Sequence, residues 1–351
     1  MDMRKAHNLS THSFDNLGKI LLKAIVFLSI FFSVNYIIGV QLDKVAGTTD
    51  LYAQVKWEEF YELPTNTLDL IFLGSSYSYR SYDPEVFDNT LKVNSFNMGS
   101  PLQKPVESYY VLKEALKYQK PSLVVMDINW GVFNKDKYFN TKLWNFDNMR
   151  FSTNKIGFLL NVFDVDQYFY ALFKTMRYHQ DTDELVKEML GMEIKNSIDM
   201  ESYLKNYKGK GFIIDNGIVN VGSIENIFKG YNKNPKKYQW NEKQLKYLDK
   251  IVKLCKKENI ELVFVTAPLS PAYFELYDAY WYDYEYIKAT ANDLAEKYGV
   301  AYLDYNSINI EEGLVTNEDF SDSNHLNYNG AQKISQHLAN FLLMHEDEYF
   351  K

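Results

Sequence analysis

Two short segments at opposite ends of this 351-residue chain carry residue types suited to acyl chemistry. The first is Gly74-Ser75-Ser76, which ends the apolar run Asp69–Leu73 (DLIFL) and precedes a polar helix-forming stretch, Tyr77–Val86. A serine at a strand-to-helix turn has its hydroxyl lifted clear of the sheet. The backbone N–H groups that follow, here flanked by Ser75 and Tyr77, carry partial positive charge that stabilises an oxyanion. Such a turn equally fits a plain bend or a helix cap. The second segment is DFSDSNHLNYNGAQK, in which Asp322 and His325 lie three apart in a polar loop before the last helix. A serine hydroxyl is a poor nucleophile at neutral pH and needs an imidazole base held in one tautomer by a carboxylate. Asp322 and His325 supply both from one turn, with Asp319 as the fallback orienter. The competing reading is a turn-capping Asp322 beside a surface histidine.

Further candidates lie close to these in sequence. Arg80, one helical turn beyond Ser76, has the forked donor geometry that binds a phosphate or carboxylate. The run YDAYWYDYEY, Tyr277–Tyr286, and Trp130 offer aromatic faces for a sugar, or packing beneath a loop.

A parallel sheet is expected to position these groups. Asp69–Leu73, Lys92–Met98 and Ser122–Ile128 read as strands, the first two ended by Gly74 and Gly99. Val106, Tyr109, Leu112 and Leu116 recur at helical spacing between the last two, giving strand, helix, strand. The rhythm returns with a helix bearing Leu245, Leu248, Val252 and Cys255 before the strand Ile260–Thr266. A helix over Tyr284–Tyr298 then precedes the strand Val300–Asp304, and a last helix carries Ala331, Ile334, Leu338, Phe341 and Leu342. The fold class is therefore α/β, with a parallel sheet assembled from two sequence halves. An insertion at about 131–240 separates them. It shows helical patterns near Phe158–Tyr178 and Asp183–Met192 and a hairpin signal at Asn216-Gly217. It reads as a lid over the crevice or as a structural embellishment.

Composition narrows the function classes. A formal net charge of -8 and the lack of a Lys/Arg-rich block argue against a nucleic-acid partner. The single cysteine, Cys255, excludes a Cys-based zinc site and an intramolecular disulfide, and its helical stripe makes it a core thiol. No cofactor or metal is expected. Residues 17–40 are apolar enough to cross most of a bilayer. Arg4, Lys5, Lys19 and Lys23 precede or open that run, which places residues 1–16 in the cytoplasm and residues 41–351 outside. A cleaved signal peptide is the alternative, but no small-x-small site follows directly.

The two polar segments resemble the blocks of the SGNH (GDSL-like) hydrolase superfamily. LIFLGSS is similar to its first block, with Ser76 at the nucleophile position and Ser75 where many members have Asp. Asp322, His325 and Leu326 match its closing Asp-x-x-His-Leu. The resemblance implies a three-layer α/β/α, flavodoxin-like domain and assigns oxyanion donation to Gly99 of FNMGSP. It gives Asn129 of DINWG a third donor's place, without the usual preceding glycine. With the membrane segment, the GSS form looks like the cell-envelope branch: the extracytoplasmic protein of teichoic-acid D-alanylation and the SGNH proteins of polysaccharide O-acetylation. That implies a serine acyltransferase acting on an envelope glycan or teichoic acid, beside a membrane-bound O-acyltransferase. An SGNH esterase or deacetylase, or a catalytically silent binding scaffold, are the other readings.

Overall fold

The computed structural model describes residues 3–46, 51–135, 138–178 and 204–350, with isolated positions at 187 and 190–191. By internal packing the chain forms two compact units, one of residues 1–49 and 166–198 and one of residues 50–165 and 199–351.

The larger unit is built on five parallel strands: β1 (Leu70–Leu73), β2 (Ser95–Asn97), β3 (Leu123–Asp127), β6 (Glu261–Thr266) and β7 (Ala301–Asp304). Their order is β2-β1-β3-β6-β7, and every pairing is parallel. This is the doubly wound, flavodoxin-like order, and the expected three-layer α/β/α class is what the chain adopts. β1, β2 and β3 are buried at every position because helices cover both faces, which is why they read as continuous apolar runs rather than alternating ones.

The strands are joined by helices α3 (Ser76–Ser81), α4 (Pro84–Leu91) and α5 (Pro105–Ala115) in the first half of the sheet. In the second half, α11 (Glu242–Glu258), α13 (Tyr284–Tyr298) and the final α15 (Tyr328–Met344) are the long ones. Their ends follow local chemistry. Asp83 caps α4 ahead of Pro84, Asn241 caps α11, and Asn327 caps α15. Asn259 and Gly299 close α11 and α13 in the left-handed conformation. α4 and α15 pack on one face over Leu70, Phe72, Val125 and Val263, while α5 and α11 pack together elsewhere in the unit. Cys255 is buried on α11, and burial pushes its thiol up to about 12.

The insertion departs from its sequence reading in one place. Its hairpin pairs β4 (Tyr207–Gly209) with β5 (Phe212–Ile213) around Lys210-Gly211, not Asn216-Gly217. Asn97 N donates to Lys210 O at 2.8 Å, and a Cβ on Gly211 would lie 1.9 Å from Asn97 O. The tight turn is therefore set by contact with β2. At Asn216-Gly217 the chain instead makes a local turn, with Gly217 N donating to Asp215 Oδ1. The helical pattern at Phe158–Tyr178 resolves into α7 (Thr153–Val162), α8 (Tyr168–Leu172) and α9 (Lys174–Arg177), after α6 (Asn140–Phe146). The Asp183–Met192 pattern lies almost wholly outside the described residues.

In the smaller unit the N-terminal residues form one helix, α1 (Met3–Ala46). Its stretch Leu17–Leu42 is long and apolar enough to cross a membrane, and it is exposed over most of its length, with Gly39 and Leu42 buried. Helix α2 (Leu51–Glu62) belongs to the larger unit, where Trp57 and Phe60 enter the core.

Candidate active site

The carboxyl ends of β1, β2 and β3 meet where the strand order reverses, the place at which open α/β sheets bind ligands. Gly74 ends β1 at φ 145, a conformation open to glycine, and a Cβ there would approach Asp127 Cβ to 2.8 Å. The chain can turn out of the sheet only because that side chain is missing. Ser75 follows, nearly fully buried, and its Oγ caps α3 by accepting from Tyr77 N at 3.4 Å. Ser76 is the first residue of α3.

His325 Nε2 lies 2.7 Å from Ser76 Oγ. On the other side of the ring, Nδ1 lies 2.8 Å from Asp322 Oδ2 and 3.1 Å from Oδ1. A carboxylate accepts only, so the arrangement places the imidazole proton on Nδ1 and leaves Nε2 free to accept from the serine. Burial opposes ionisation of Asp322, but the His325 hydrogen bond and charge, with the N–H groups of Asn324 and His325, outweigh it and hold the carboxyl below its ordinary value. Asp322 thus stays charged beside Nδ1 of the ring.

The loop holding this pair is built from its ends inward. Phe320 and Leu326 form a bridge, Ser321 N donates to His325 O at 2.9 Å, and Asn327 N donates to Asp319 O at 2.9 Å. Asp319 faces away from the imidazole: its Oδ2 pairs with Lys333 at 2.8 Å and caps Thr316 N. It anchors the loop, and Asp322 alone of the two carboxylates orients the ring.

The remaining candidates are placed as follows. Gly99 sits against the Gly74–Ser76 turn, where a Cβ would lie 3.2 Å from both Gly74 O and Ser75 O. Its N–H donates to Asn97 Oδ1 at 3.0 Å, and its carbonyl accepts from buried Lys56 Nζ at 2.9 Å. Asn129 is buried after β3; its Oδ1 accepts from Gly131 N at 2.9 Å, while its Nδ2 is buried and has no partner among the described residues. Tyr77 shares a tilted ring contact with His325 at 5.6 Å, and burial pushes its phenol well up. Arg80 pairs with Asp215 of the insertion at 2.9 Å. Trp130 is only 3% exposed, donates Nε1 to Tyr277 OH at 2.5 Å, and packs on Tyr277 and Tyr284. Its ring is therefore covered by protein and offers no face to a sugar. In the Tyr277–Tyr286 run Tyr277 and Tyr284 are likewise buried, while Tyr280, Trp281, Tyr282 and Tyr286 are half-buried.

Four residues at the site escaped the sequence reading. Asn97 is fully buried and joins the turns: Nδ2 donates to Ser78 O and Tyr82 O, while Oδ1 accepts from Gly99 N and Ser78 Oγ. Asn324 donates to Tyr77 OH at 2.9 Å, tying the histidine loop to α3. Ser270 holds Ser323 O through its N–H and Oγ. Tyr273 lies near enough to Asp322 that burial, then the carboxylate's charge, raises its phenol to about 12. Each acts across the fold. Only Asn324, inside the Asp-x-x-His block, had a local signal.

The doubly wound α/β domain brings Ser76, His325 and Asp322 into one hydrogen-bonded chain at its topological switch point. The chain belongs to the family described as protein of unknown function DUF1574, which matches residues 21–341. A search of curated proteins finds no match. Among solved structures the chain is similar to one designated a lipolytic protein of the G-D-S-L family from Desulfitobacterium hafniense DCB-2. That likeness has 10% identity and TM-score 0.37, covering 78% of this chain and 99% of the other. It is also similar to a chain designated an acylhydrolase from Bacteroides fragilis NCTC 9343, at 12% identity and TM-score 0.34, covering 84% and 95%. The fold assignment rests on the strand order itself.

Proposed function

We propose that this protein is a membrane-anchored serine acyltransferase of the SGNH type, which receives an acyl group on Ser76 and passes it to a hydroxyl of an envelope polysaccharide or teichoic acid. The observation that carries the reading is the continuous relay from Ser76 Oγ through both nitrogens of His325 to Asp322, at 2.7 and 2.8 Å. In the first step His325 Nε2 takes the Ser76 proton as Oγ bonds to the acyl carbonyl carbon. The tetrahedral adduct then collapses, the ester C–O bond breaks, and His325 returns the proton to the leaving oxygen. In the second step His325 takes the proton of the accepting hydroxyl as that oxygen bonds to the acyl-serine carbonyl carbon; the bond to Ser76 Oγ then breaks, and His325 returns the proton to Oγ. Asp322 stabilises the imidazolium in both.

The unpartnered Asn129 Nδ2 is the oxyanion donor this structure best supports, since its hydrogen-bonding capacity is unused. Gly99 N–H serves as a second donor when it exchanges Asn97 Oδ1 for the oxyanion. Arg80 is the group for an anionic acceptor. The basic residues before the apolar span favour a cytoplasmic N-terminus and an external catalytic unit. An anchor keeps the serine near a membrane-delivered donor, such as one presented by a multi-spanning O-acyltransferase, and this favours transfer over simple hydrolysis.

Transfer and hydrolysis separate in a partition experiment. The full chain in detergent is acylated with a p-nitrophenyl ester, and deacylation is followed with and without glycan or polyol-phosphate acceptors. The proposal expects acceptor to accelerate deacylation and to become O-acylated. Free acid as the sole product, at a rate no acceptor changes, assigns the protein as an esterase instead.

A further inference from the structure

Within the smaller unit, the apolar stretch of α1 carries two amide side chains, Gln41 beside its Leu42 end and, deeper in, Asn35, where a membrane interior leaves no water to satisfy it. Both ends of the Asn35 amide are occupied. Nδ2 donates to Phe31 O at 2.9 Å, and Oδ1 accepts from Thr175 Oγ1 of α9 at 2.8 Å. One turn on, Gly39 is buried, and a Cβ there would lie 3.0 Å from Lys174 Cβ, the close approach that small residues permit between membrane helices. One turn back, the Phe173 ring stacks on Phe32 at 5.7 Å and meets Phe31 edge-on at 5.9 Å. Residues 31, 35 and 39 form one stripe of α1, and α9 lies along it.

The depth of that stripe follows from helix geometry. The Leu17–Leu42 stretch is about 39 Å long at helical rise, against a hydrocarbon core of about 30 Å. Asn35 lies about 10 Å from its Leu42 end, which puts it near the acyl boundary on the side where the chain continues. The insertion segment docked there turns apolar side chains away from α1: Phe169 is 62% exposed, Leu172 54% and Met176 46%. Arg177 folds back to donate to the carbonyls of Tyr170 and Ala171, which satisfies the end of α8 without solvent.

We propose that α8 and α9 form an interfacial membrane element, seated against α1 at the acyl–headgroup boundary, with Phe169, Leu172 and Met176 in contact with lipid. The insertion is thereby a second membrane attachment, in addition to α1. The cations Lys174 and Arg177 suit the headgroup level. This proposal rests on the reading of α1 as a membrane span.

The test uses the full chain in phosphatidylcholine vesicles. Cys255→Ala removes the single thiol, and an environment-sensitive fluorophore is placed in turn at Phe169→Cys, Leu172→Cys, Ile30→Cys in the span and Met344→Cys on the larger unit. All four positions are exposed, so labelling spares the packing. Quenching is read with nitroxide-bearing acyl chains and with aqueous iodide. The proposal expects positions 169, 172 and 30 to lose fluorescence to nitroxide lipid and not to iodide, and position 344 the reverse. If 30 responds to lipid while 169 and 172 respond to iodide, the interfacial element is wrong and the anchor stands. If 30 also responds to iodide, both readings fall.

Discussion

His325 Nε2 and Ser76 Oγ, 249 positions apart in sequence, lie 2.7 Å apart in the fold. Ser76 opens the helix after the first strand, and His325 sits in the loop before the last helix. Their meeting depends on the doubly wound topology, which returns α15 to the face carrying α3 and α4. The contact is sealed by Asn324, whose side chain bonds the OH of Tyr77, the residue after Ser76.

The proposed function makes Ser76, His325 and Asp322 one relay, whose removal is not additive. Ser76→Ala and His325→Ala are each expected to lower kcat by about 10⁴-fold or more, and the double variant to be no worse than either. Asp322→Asn keeps the shape and loses the charge, and also falls by about 10⁴-fold. Steady-state rates on an activated ester check this. A double variant that multiplies the single losses would show two independent groups.

Gly74 is where backbone and site constrain each other. Gly74→Ala forces a Cβ toward Asp127 at φ 145, with an expected stability loss of about 3 kcal/mol. The displaced turn moves Ser76 away from His325, so activity falls further than the change in unfolding free energy explains. Chemical denaturation together with rates separates the two effects.

The Arg80–Asp215 pair bears on acceptor choice. Asp215→Asn keeps the bond from Gly217 N but releases the charge on Arg80. It is expected to lower KM for a phosphate-bearing acceptor severalfold. Arg80→Gln is expected to raise that KM by about tenfold, and neither change alters kcat or the KM of a neutral sugar. Equal effects on both acceptors would make the pair purely structural.

Stability should depend on pH through Glu107. Burial raises its carboxyl to about 7 against the attraction of Lys142 and Lys104, and its Oε2 is buried without a hydrogen-bond partner among the described residues. Between the ordinary value of 4.5 and about 7, the unfolded chain has released a proton that the fold retains. Rising pH therefore costs stability across that window, on the order of 3 kcal/mol, and no more above it. Asp127, raised by burial to about 6, adds a loss of the same sign from 3.8 upward. Glu107→Gln cannot ionise and should lose less stability between pH 5 and pH 8. Unfolding curves at the two pH values test this, and an unchanged loss would contradict it.

The five sheet strands were legible because each is a short apolar run ended by glycine or a polar residue, and doubly covered strands need no alternation. The Asp322–His325 pairing was legible because both residues come from one turn. What escaped depends on distant contacts. Gly211 must be glycine because Asn97 O approaches it, so the hairpin turned at Lys210-Gly211 although Asn216-Gly217 has the stronger local turn signal. Asn97, a strand-end amide, gives no hint in sequence that it holds both the α3 backbone and the Gly99 turn. Trp130 looked available by position but is covered by Tyr277 and Tyr284, residues nearly 150 positions later.

The central claim is that Ser76 carries the acyl group, and the most direct measurement locates the adduct. The full chain is treated with a fluorophosphonate, digested, and the modified peptide read by mass spectrometry, beside Ser76→Ala and His325→Ala. The account predicts one adduct on Ser76, none in Ser76→Ala, and slow labelling in His325→Ala. Equal labelling of the parent and folded Ser76→Ala, or an adduct on another serine, would contradict it.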